Sequence, residues 1–108
     1  MDNTKDINKL VLAKAKKYRN LLEANGVNIS AFYIFGSHAQ GTAKPWSDID
    51  IGVVSPDFTQ DRITEGVKLD LLGDAIDSSI EPHPFLPEEF SDKYYPLAQE
   101  IKKTGIKI

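Results

Sequence analysis

The chain begins with a stretch in which apolar residues recur every three, four or seven positions, a spacing typical of one buried face of an α-helix. This pattern predicts a helix over residues 4–25, with Asn25 and Gly26 as its stop signal. The apolar positions of that face are Ile7, Leu10, Val11, Tyr18, Leu21 and Leu22. A similar pattern predicts a second long helix over residues 59–77. Its core-facing positions are expected to be Ile63, Val67, Leu71, Ala75 and Ile76.

Short apolar runs with β-branched and aromatic residues lie between these helices and predict strands over residues 29–35, 48–54 and 78–83. Pro82 confines the third strand to a sheet edge or ends it, and Pro84 and Pro87 interrupt the chain that follows. The remaining expected elements are a short helix at about 37–42, a last helix at 93–104 and a terminal strand at 106–108. The order indicates an α/β (α+β) fold, with a small mixed β-sheet flanked by helices in one domain over residues 1–108.

Composition places the chain among soluble globular domains. Of its 108 residues 41% are hydrophobic, and no apolar run approaches the roughly 20 residues that span a bilayer. The absence of cysteine excludes disulfides, thiolate zinc sites and cysteine nucleophiles. The first residues are polar and acidic, unlike a signal peptide. We therefore expect a cytoplasmic protein that does not contact the membrane.

Charge is distributed unevenly along the chain. Residues 1–25 carry six Lys/Arg and three Asp/Glu, whereas residues 45–100 carry thirteen Asp/Glu and three Lys/Arg. An acidic surface of this kind is poorly suited to binding nucleic acid, which requires Lys and Arg against phosphates. It is better suited to divalent cations or a basic partner, although an acidic surplus also serves solubility alone.

Two aspartates, Asp48 and Asp50, stand two positions apart in the second predicted strand. Side chains alternate between the faces of a strand, so these two carboxylates point to the same side. Gathering two carboxylates on one face costs free energy through repulsion and desolvation, and a divalent cation such as Mg²⁺ or Mn²⁺ removes that cost. Two surface aspartates on an exposed strand would show the same spacing.

A glycine and a serine, Gly36 and Ser37, follow the first predicted strand and open the short helix. Glycine allows the backbone to approach a phosphate closely, and the following amides and hydroxyl point at the anion. An ordinary strand-to-helix turn capped by Ser37 has the same sequence. Ten residues separate Ser37 from Asp48, so the loop brings the phosphate-binding turn beside the carboxylates, as a metal-bound nucleoside triphosphate requires.

The stretch from Phe35 to Val54 contains the pattern Gly-Ser-x10-Asp-x-Asp and spans the first two predicted strands. This stretch resembles the signature of the minimal nucleotidyltransferases (MNT proteins) of the DNA polymerase β-like superfamily. The resemblance implies a polymerase β-like nucleotidyltransferase core. It implies that Gly36 and Ser37 hold the triphosphate of ATP and that Asp48 and Asp50 ligate two Mg²⁺ ions, with Mn²⁺ as a substitute.

The family also uses a third carboxylate on a later strand, which ligates the catalytic metal and accepts the proton of the attacking hydroxyl. Glu81 is the candidate for this role because it lies on the third predicted strand. The family more commonly has an aspartate here, in a strand without proline, and Glu81 followed by Pro82 departs from that pattern. Asp77 is therefore kept as the alternative.

The resemblance further implies a partner and a reaction. MNT proteins of this size pair with a HEPN-domain toxin as its antitoxin and transfer AMP from ATP to a tyrosine of that toxin, releasing pyrophosphate. The chain leaves no room for a separate acceptor-binding domain, which favours an acceptor presented by a partner. Two alternatives remain: an antitoxin that neutralises its partner by contact alone, and an aminoglycoside-type transferase that modifies a small molecule.

Several other residues have both a functional and a structural interpretation. His83 stands two positions from Glu81 and could touch the metal or the acceptor, or be a structural or exposed histidine. His38, Lys44 and Lys68 could contact phosphates or lie on the surface. Trp46 and the pair Tyr94 and Tyr95 are expected in the core or at an interface.

Overall fold

A computed structural model describes residues 7–59 and 61–108. Its elements are α1 (Lys9–Ala24), β1 (Ala31–Phe35), α2 (Ser37–Gln40), β2 (Ile49–Val54), α3 (Arg62–Asp74), β3 (Ile80–Phe85), α4 (Pro87–Phe90), α5 (Pro96–Thr104) and β4 (Ile106–Lys107). The strands form a mixed sheet in the order β3-β2-β1-β4. β1 pairs antiparallel with β2 and β4, whereas β2 and β3 are parallel. The predicted α/β class with a small mixed sheet is confirmed. Within the described ranges, no helix combines the length and the apolar character needed to cross a bilayer.

The two faces of the sheet contribute to two hydrophobic clusters. Ile49, Ile51 and Val53 alternate along β2 and pack with α1 and α3 on one face. Val54 packs on the other face with α4 and α5, where Gly52 lies in contact distance of Ile101. Because Asp50 shares the second face with Gly52 and Val54, its carboxylate is kept out of the larger cluster.

Helix α1 begins later than predicted because Asn8 caps it. The Asn8 side chain accepts a hydrogen bond from the amide of Leu10 at 2.8 Å, which satisfies a donor that has no partner within the helix. The predicted residues 4–6 lie outside the described part of the chain. Leu10, expected on the packed face, is 63% exposed, whereas Val11, Ala15, Tyr18 and Leu22 are buried.

Helix α3 presents a different face to the core from the one its apolar spacing predicts. Ile63, Val67 and Leu71 are exposed, whereas Leu69 is buried and Gly73 packs against Ile80. The buried Tyr18 hydroxyl donates to the carbonyl of Leu69 at 2.8 Å and links α1 to α3. The prediction of the α3 core face was therefore wrong, apart from the half-buried Ile76 beyond the end of the helix.

Strand β3 runs through two prolines because it lies at the sheet edge. Ser79 O accepts from the amide of Ile49 at 2.8 Å, and Phe85 O accepts from Ser55 at 3.0 Å. Residues at odd positions of β3 therefore bond to β2, and Pro82 and Pro84 face outward, where no amide is required. The edge position predicted from Pro82 is confirmed, but the interruption expected at Pro84 does not occur.

The segment between β3 and the C-terminus contains one element that the sequence did not predict, the short helix α4. Its Phe90 is buried and packs against Phe85 with ring centroids 5.5 Å apart. Tyr95 also packs on Phe85, but Trp46 and Tyr94 are each 80% exposed. A core position for those two aromatics is excluded.

Candidate active site

Two of the predicted carboxylates lie side by side on neighbouring strands. The parallel register of β2 and β3 pairs Asp50 with Glu81, so both side chains extend from the same face of the sheet. The side chain of Asp50 is 26% exposed and that of Glu81 is 52% exposed. Asp48 is exposed and immediately precedes β2, whose first residue is Ile49. The structure thus brings Asp50 and Glu81 together, with Asp48 at the start of the same strand.

Burial and neighbouring carboxylates disfavour the charged forms of Asp50 and Glu81. Burial raises the pKa of Asp50, and the charge of Asp48 adds to that rise while His83 opposes it. Burial and then the charge of Asp50 raise the pKa of Glu81. Each shift reflects the cost of holding negative charge where water is partly excluded and another carboxylate is near. A cation placed among these groups removes that cost.

The turn formed by Gly36 and Ser37 lies directly beside Asp50, because β1 ends at Phe35 and Phe35 pairs with Asp50 across the sheet. Gly36 has φ of 73°, and a β-carbon there would overlap Asp50 Oδ2. The glycine is therefore required both by its backbone conformation and by the approach of the carboxylate. The amides of Ala39 and Gln40 donate to the carbonyl of Gly36, each at 3.1 Å. The amides of Ser37 and His38, at the very start of α2, are therefore the ones that, with the Ser37 hydroxyl, are suited to bind an anion.

His83 is a member of the site that the sequence left undecided. Its Nε2 atom lies 3.7 Å from Asp50 Oδ1 and 4.0 Å from Glu81 Oε1. The ligand atoms of Asp50, Glu81 and His83 all lie within 4.8 Å of one another. The available signal was the two-residue spacing from Glu81, which places both side chains on one face of β3.

The other candidates lie elsewhere or have structural partners. Asp77, the alternative third carboxylate, forms an ion pair with Lys14 and accepts hydrogen bonds from the amide and hydroxyl of Ser79. Together with Ser79, Lys14 holds the pKa of Asp77 well below its usual range. Lys68 donates to the carbonyl of Asn25 at 3.2 Å. These contacts leave Glu81 as the carboxylate that faces Asp50.

The loop between α2 and β2 is held by side-chain contacts of its own. The Nε2 atom of His38 lies 3.3 Å from the carbonyl oxygen of Ser47, and the Ser47 hydroxyl accepts from the amide of Lys44 at 2.8 Å. These contacts tie the residue before Asp48 to the helix that begins at Ser37. A cleft of about 570 Å³ lies beside this loop and is lined by Lys14, His38 and Asp77, among others, but by none of the clustered carboxylates.

The residues of the carboxylate cluster fit a divalent cation. Carboxylate oxygens are the ligands that Mg²⁺ and Mn²⁺ prefer in proteins, and one imidazole is compatible with Mn²⁺. The buried Nε2 of His83 has no hydrogen-bond partner among residues 7–59 and 61–108, and it faces the two carboxylates. A cation would satisfy all three groups at once.

Part of the chain is similar in sequence to a known protein. The protein adenylyltransferase MntA of Shewanella oneidensis is 38% identical over 65 residues, which are 60% of this chain. The match covers 46% of that protein, less than half of its length.

Solved structures are similar over more of the chain. A toxin-antitoxin structure with AMP-PNP has a TM-score of 0.65 and 30% identity, covering 86% of this chain and 70% of that chain. The toxin-antitoxin MntA-HepT has a TM-score of 0.60 and 25% identity, covering 89% of this chain and 69% of that chain.

A family model completes the comparison. Residues 15–107 match the model described as the nucleotidyltransferase domain. That range includes the Gly36–Ser37 turn, Asp48, Asp50 and Glu81. The resemblance inferred from the sequence is confirmed, and the chain belongs to the nucleotidyltransferase domain family.

Proposed function

We propose that the protein transfers AMP from ATP to a hydroxyl group, with release of pyrophosphate. The observation that carries the proposal is the position of Asp50, which lies between the Gly36–Ser37 turn and Glu81. A phosphate-binding turn on one side and a second carboxylate on the other are what metal-assisted nucleotidyl transfer requires. Family membership and the name of the adenylyltransferase relative support the same reaction.

In this proposal the turn binds the triphosphate. The Ser37 hydroxyl and the first amides of α2 donate hydrogen bonds to phosphate oxygens. The contact of Gly36 with Asp50 keeps that anion next to the carboxylates. Like charges would repel there without a cation, so binding of ATP through the turn is expected to require a divalent metal.

Asp48, Asp50 and Glu81 would hold two Mg²⁺ ions, for which Mn²⁺ could substitute. When bound, the ions would neutralise the phosphates and polarise the α-phosphorus for attack. The new bond joins the acceptor oxygen to the α-phosphorus, and the bond from that phosphorus to the β-phosphate oxygen breaks. Pyrophosphate leaves with the bonding electron pair. In this proposal Glu81, which is more exposed than Asp50, takes the proton of the acceptor hydroxyl.

The acceptor in this proposal is a tyrosine of a HEPN-domain toxin, to which the protein is the antitoxin. Toxin-antitoxin structures among the similar folds support a toxin partner. The carboxylates lie on a face of the sheet where Glu81 is half-exposed, so a side chain of another protein can approach them.

The test incubates the purified protein with a candidate HEPN-domain toxin, ATP and Mg²⁺, and measures adenylylation of the toxin by intact-protein mass spectrometry. We expect the toxin to gain adenylyl groups with the wild type and not with Asp48→Asn or Asp50→Asn. Asp57→Asn, an exposed aspartate in the turn after β2, is the matched control and should behave like the wild type. Transfer that survives both site substitutions would contradict the proposal.

A second candidate function is neutralisation of the toxin by contact without chemistry. The exposed apolar residues of α3, Ile63, Val67 and Leu71, favour it because such a row is typical of protein interfaces. Measuring the activity of the toxin alongside its adenylylation separates the two functions. Contact neutralisation predicts that Asp50→Asn still inhibits the toxin when no AMP is transferred, whereas catalytic neutralisation predicts that inhibition is lost.

A further inference from the structure

The imidazole of His83 faces the carboxylate pair without bonding to it. Distances of 3.7 Å to Asp50 Oδ1 and 4.0 Å to Glu81 Oε1 are too long for hydrogen bonds. The Nε2 atom is buried, and no hydrogen-bond partner for it is found in the described part of the chain. A buried polar atom without a partner costs free energy, so its orientation toward two carboxylates calls for a ligand between them.

The orientation of the ring is held from outside the carboxylate cluster. The His83 ring packs edge-on against Phe35, with centroids 5.0 Å apart and planes at 64°. In the parallel register His83 stands opposite Gly52, which has no side chain to compete for the space. Phe35 is itself buried and precedes the Gly36 turn. The phosphate-binding turn and the imidazole are therefore positioned by the same strand.

The two distances from His83 Nε2 to the carboxylate oxygens match those of donors that share one ion. Two atoms each about 2.1 Å from a metal can be separated by at most about 4.2 Å, when they lie on opposite sides of it. Both distances from His83 Nε2 fall below that limit and above hydrogen-bond length. Asp48 is not part of this group, although its charge acts on both carboxylates.

We infer that His83 is a nitrogen ligand of the metal site and makes the site select Mn²⁺ over Mg²⁺. The inference rests on the proposed function for the presence of a metal, and adds the identity of one ligand and its consequence. Mg²⁺ favours oxygen ligands, whereas an imidazole adds more affinity for transition-metal ions. The added nitrogen ligand therefore shifts the metal preference of the site without changing its location.

The experiment measures metal binding to the untagged protein without nucleotide. The chain has two histidines, so pulsed electron paramagnetic resonance of bound Mn²⁺ can assign a coordinated imidazole nitrogen by comparing two variants. We expect the nitrogen signal in the wild type and in His38→Gln, and its loss in His83→Gln. His38 is the matched control because its Nε2 contacts Ser47 O instead of the carboxylates.

Titration calorimetry supplies the affinities. We expect His83→Gln to weaken Mn²⁺ binding by at least about tenfold and Mg²⁺ binding by less than about threefold. A wild type that binds Mn²⁺ without a nitrogen signal overturns the role of His83 while leaving the proposed function intact. A wild type that binds neither ion, or Mn²⁺ binding that Asp50→Asn leaves unchanged, overturns the metal site assigned to Asp50, Glu81 and His83. The proposed function is tested separately by the adenylylation assay, in which ATP is present. If His83→Gln does not fold, the wild-type and His38→Gln spectra still decide the question.

Discussion

The backbone of Gly36 lies directly against the carboxylate of Asp50, so that a β-carbon on the glycine would overlap Asp50 Oδ2. The contact joins the end of β1 to the start of β2 through the pairing of Phe35 with Asp50. It also links the two halves of the candidate site, since the turn that would bind phosphate cannot move closer to β2 without displacing the carboxylate. The stability and the ligand binding of the site are therefore expected to depend on this one glycine.

Gly36→Ala should lower the free energy of unfolding by about 1–3 kcal/mol, because the alanine would be strained at positive φ and would displace Asp50. Metal-dependent ATP binding should be lost with it. Gly41→Ala is the matched control, since Gly41 has φ of 75° and nothing within 4 Å of an added β-carbon. It should cost about 1 kcal/mol and leave ATP binding unchanged. Chemical denaturation and titration calorimetry measure both effects, and equal losses in the two variants would contradict the steric explanation.

Two leucines of α3 provide a test of which helix face is buried. Leu69 is 1% exposed and Leu71 is 65% exposed, although they differ by only two positions. Leu69→Ala should lower the free energy of unfolding by about 2–5 kcal/mol because it leaves a cavity in the core. Leu71→Ala should change it by less than about 0.5 kcal/mol. Urea unfolding of the two variants measures both changes. A larger loss of unfolding free energy for Leu71→Ala would show that α3 buries the face of Leu71 instead of that of Leu69.

Removing the charge of Asp50 should stabilise the protein in the absence of metal. Burial raises the pKa of Asp50 in the folded state, so its ionised form costs stability above its unfolded pKa, and this cost disappears as the pH falls through the folded pKa. Asp50→Asn should therefore be more stable than the wild type at pH 7, by up to about 1 kcal/mol, with the difference closing in acid.

Thermal unfolding measured from pH 7 to pH 4, with and without Mn²⁺, tests the Asp50 prediction. Mn²⁺ should raise the unfolding temperature of the wild type and of Asp57→Asn, but not that of Asp50→Asn. The reason is that only a folded site that retains Asp50 binds the ion. A variant that is less stable than the wild type at pH 7 would show that the Asp50 charge is stabilised rather than strained.

The ion pair of Lys14 with Asp77 should produce the opposite pH dependence. Because these contacts lower the pKa of Asp77 in the folded state, they stabilise the protein above the unfolded pKa, and that stability is lost as the pH falls toward the folded value. Asp77→Asn should cost about 1–2 kcal/mol at pH 7. Denaturation curves should show the difference from the wild type shrinking below about pH 4. A difference that is constant down to pH 2 would exclude the carboxylate charge as its cause.

Much of the local structure follows from the sequence because its causes are local. The period of apolar residues locates α1 and α3 within a few residues, and Asn8 and Asp61 then determine where these two helices begin. The face that α3 buries is not a local property. Ile63, Val67 and Leu71 form one apolar row and Leu69, Leu72 and Ile76 another, and the periodicity fits both. The helix buries the second row because Gly73 lets it approach Ile80 closely.

The candidate site divides in the same way. The sequence determined that Gly36 and Ser37 follow a strand and that Asp48 and Asp50 stand at the start of another, because these relations depend only on neighbouring residues. The positions of the other groups depend on packing between distant segments. Glu81 lies beside Asp50, and His83 faces both carboxylates. Asp77 forms an ion pair with Lys14 and so lies outside the cluster. Those positions depend on the parallel register of two strands about thirty residues apart and on the packing of α1 against them. Side-chain alternation specifies a face of a strand, whereas only packing between distant segments specifies which residue it meets.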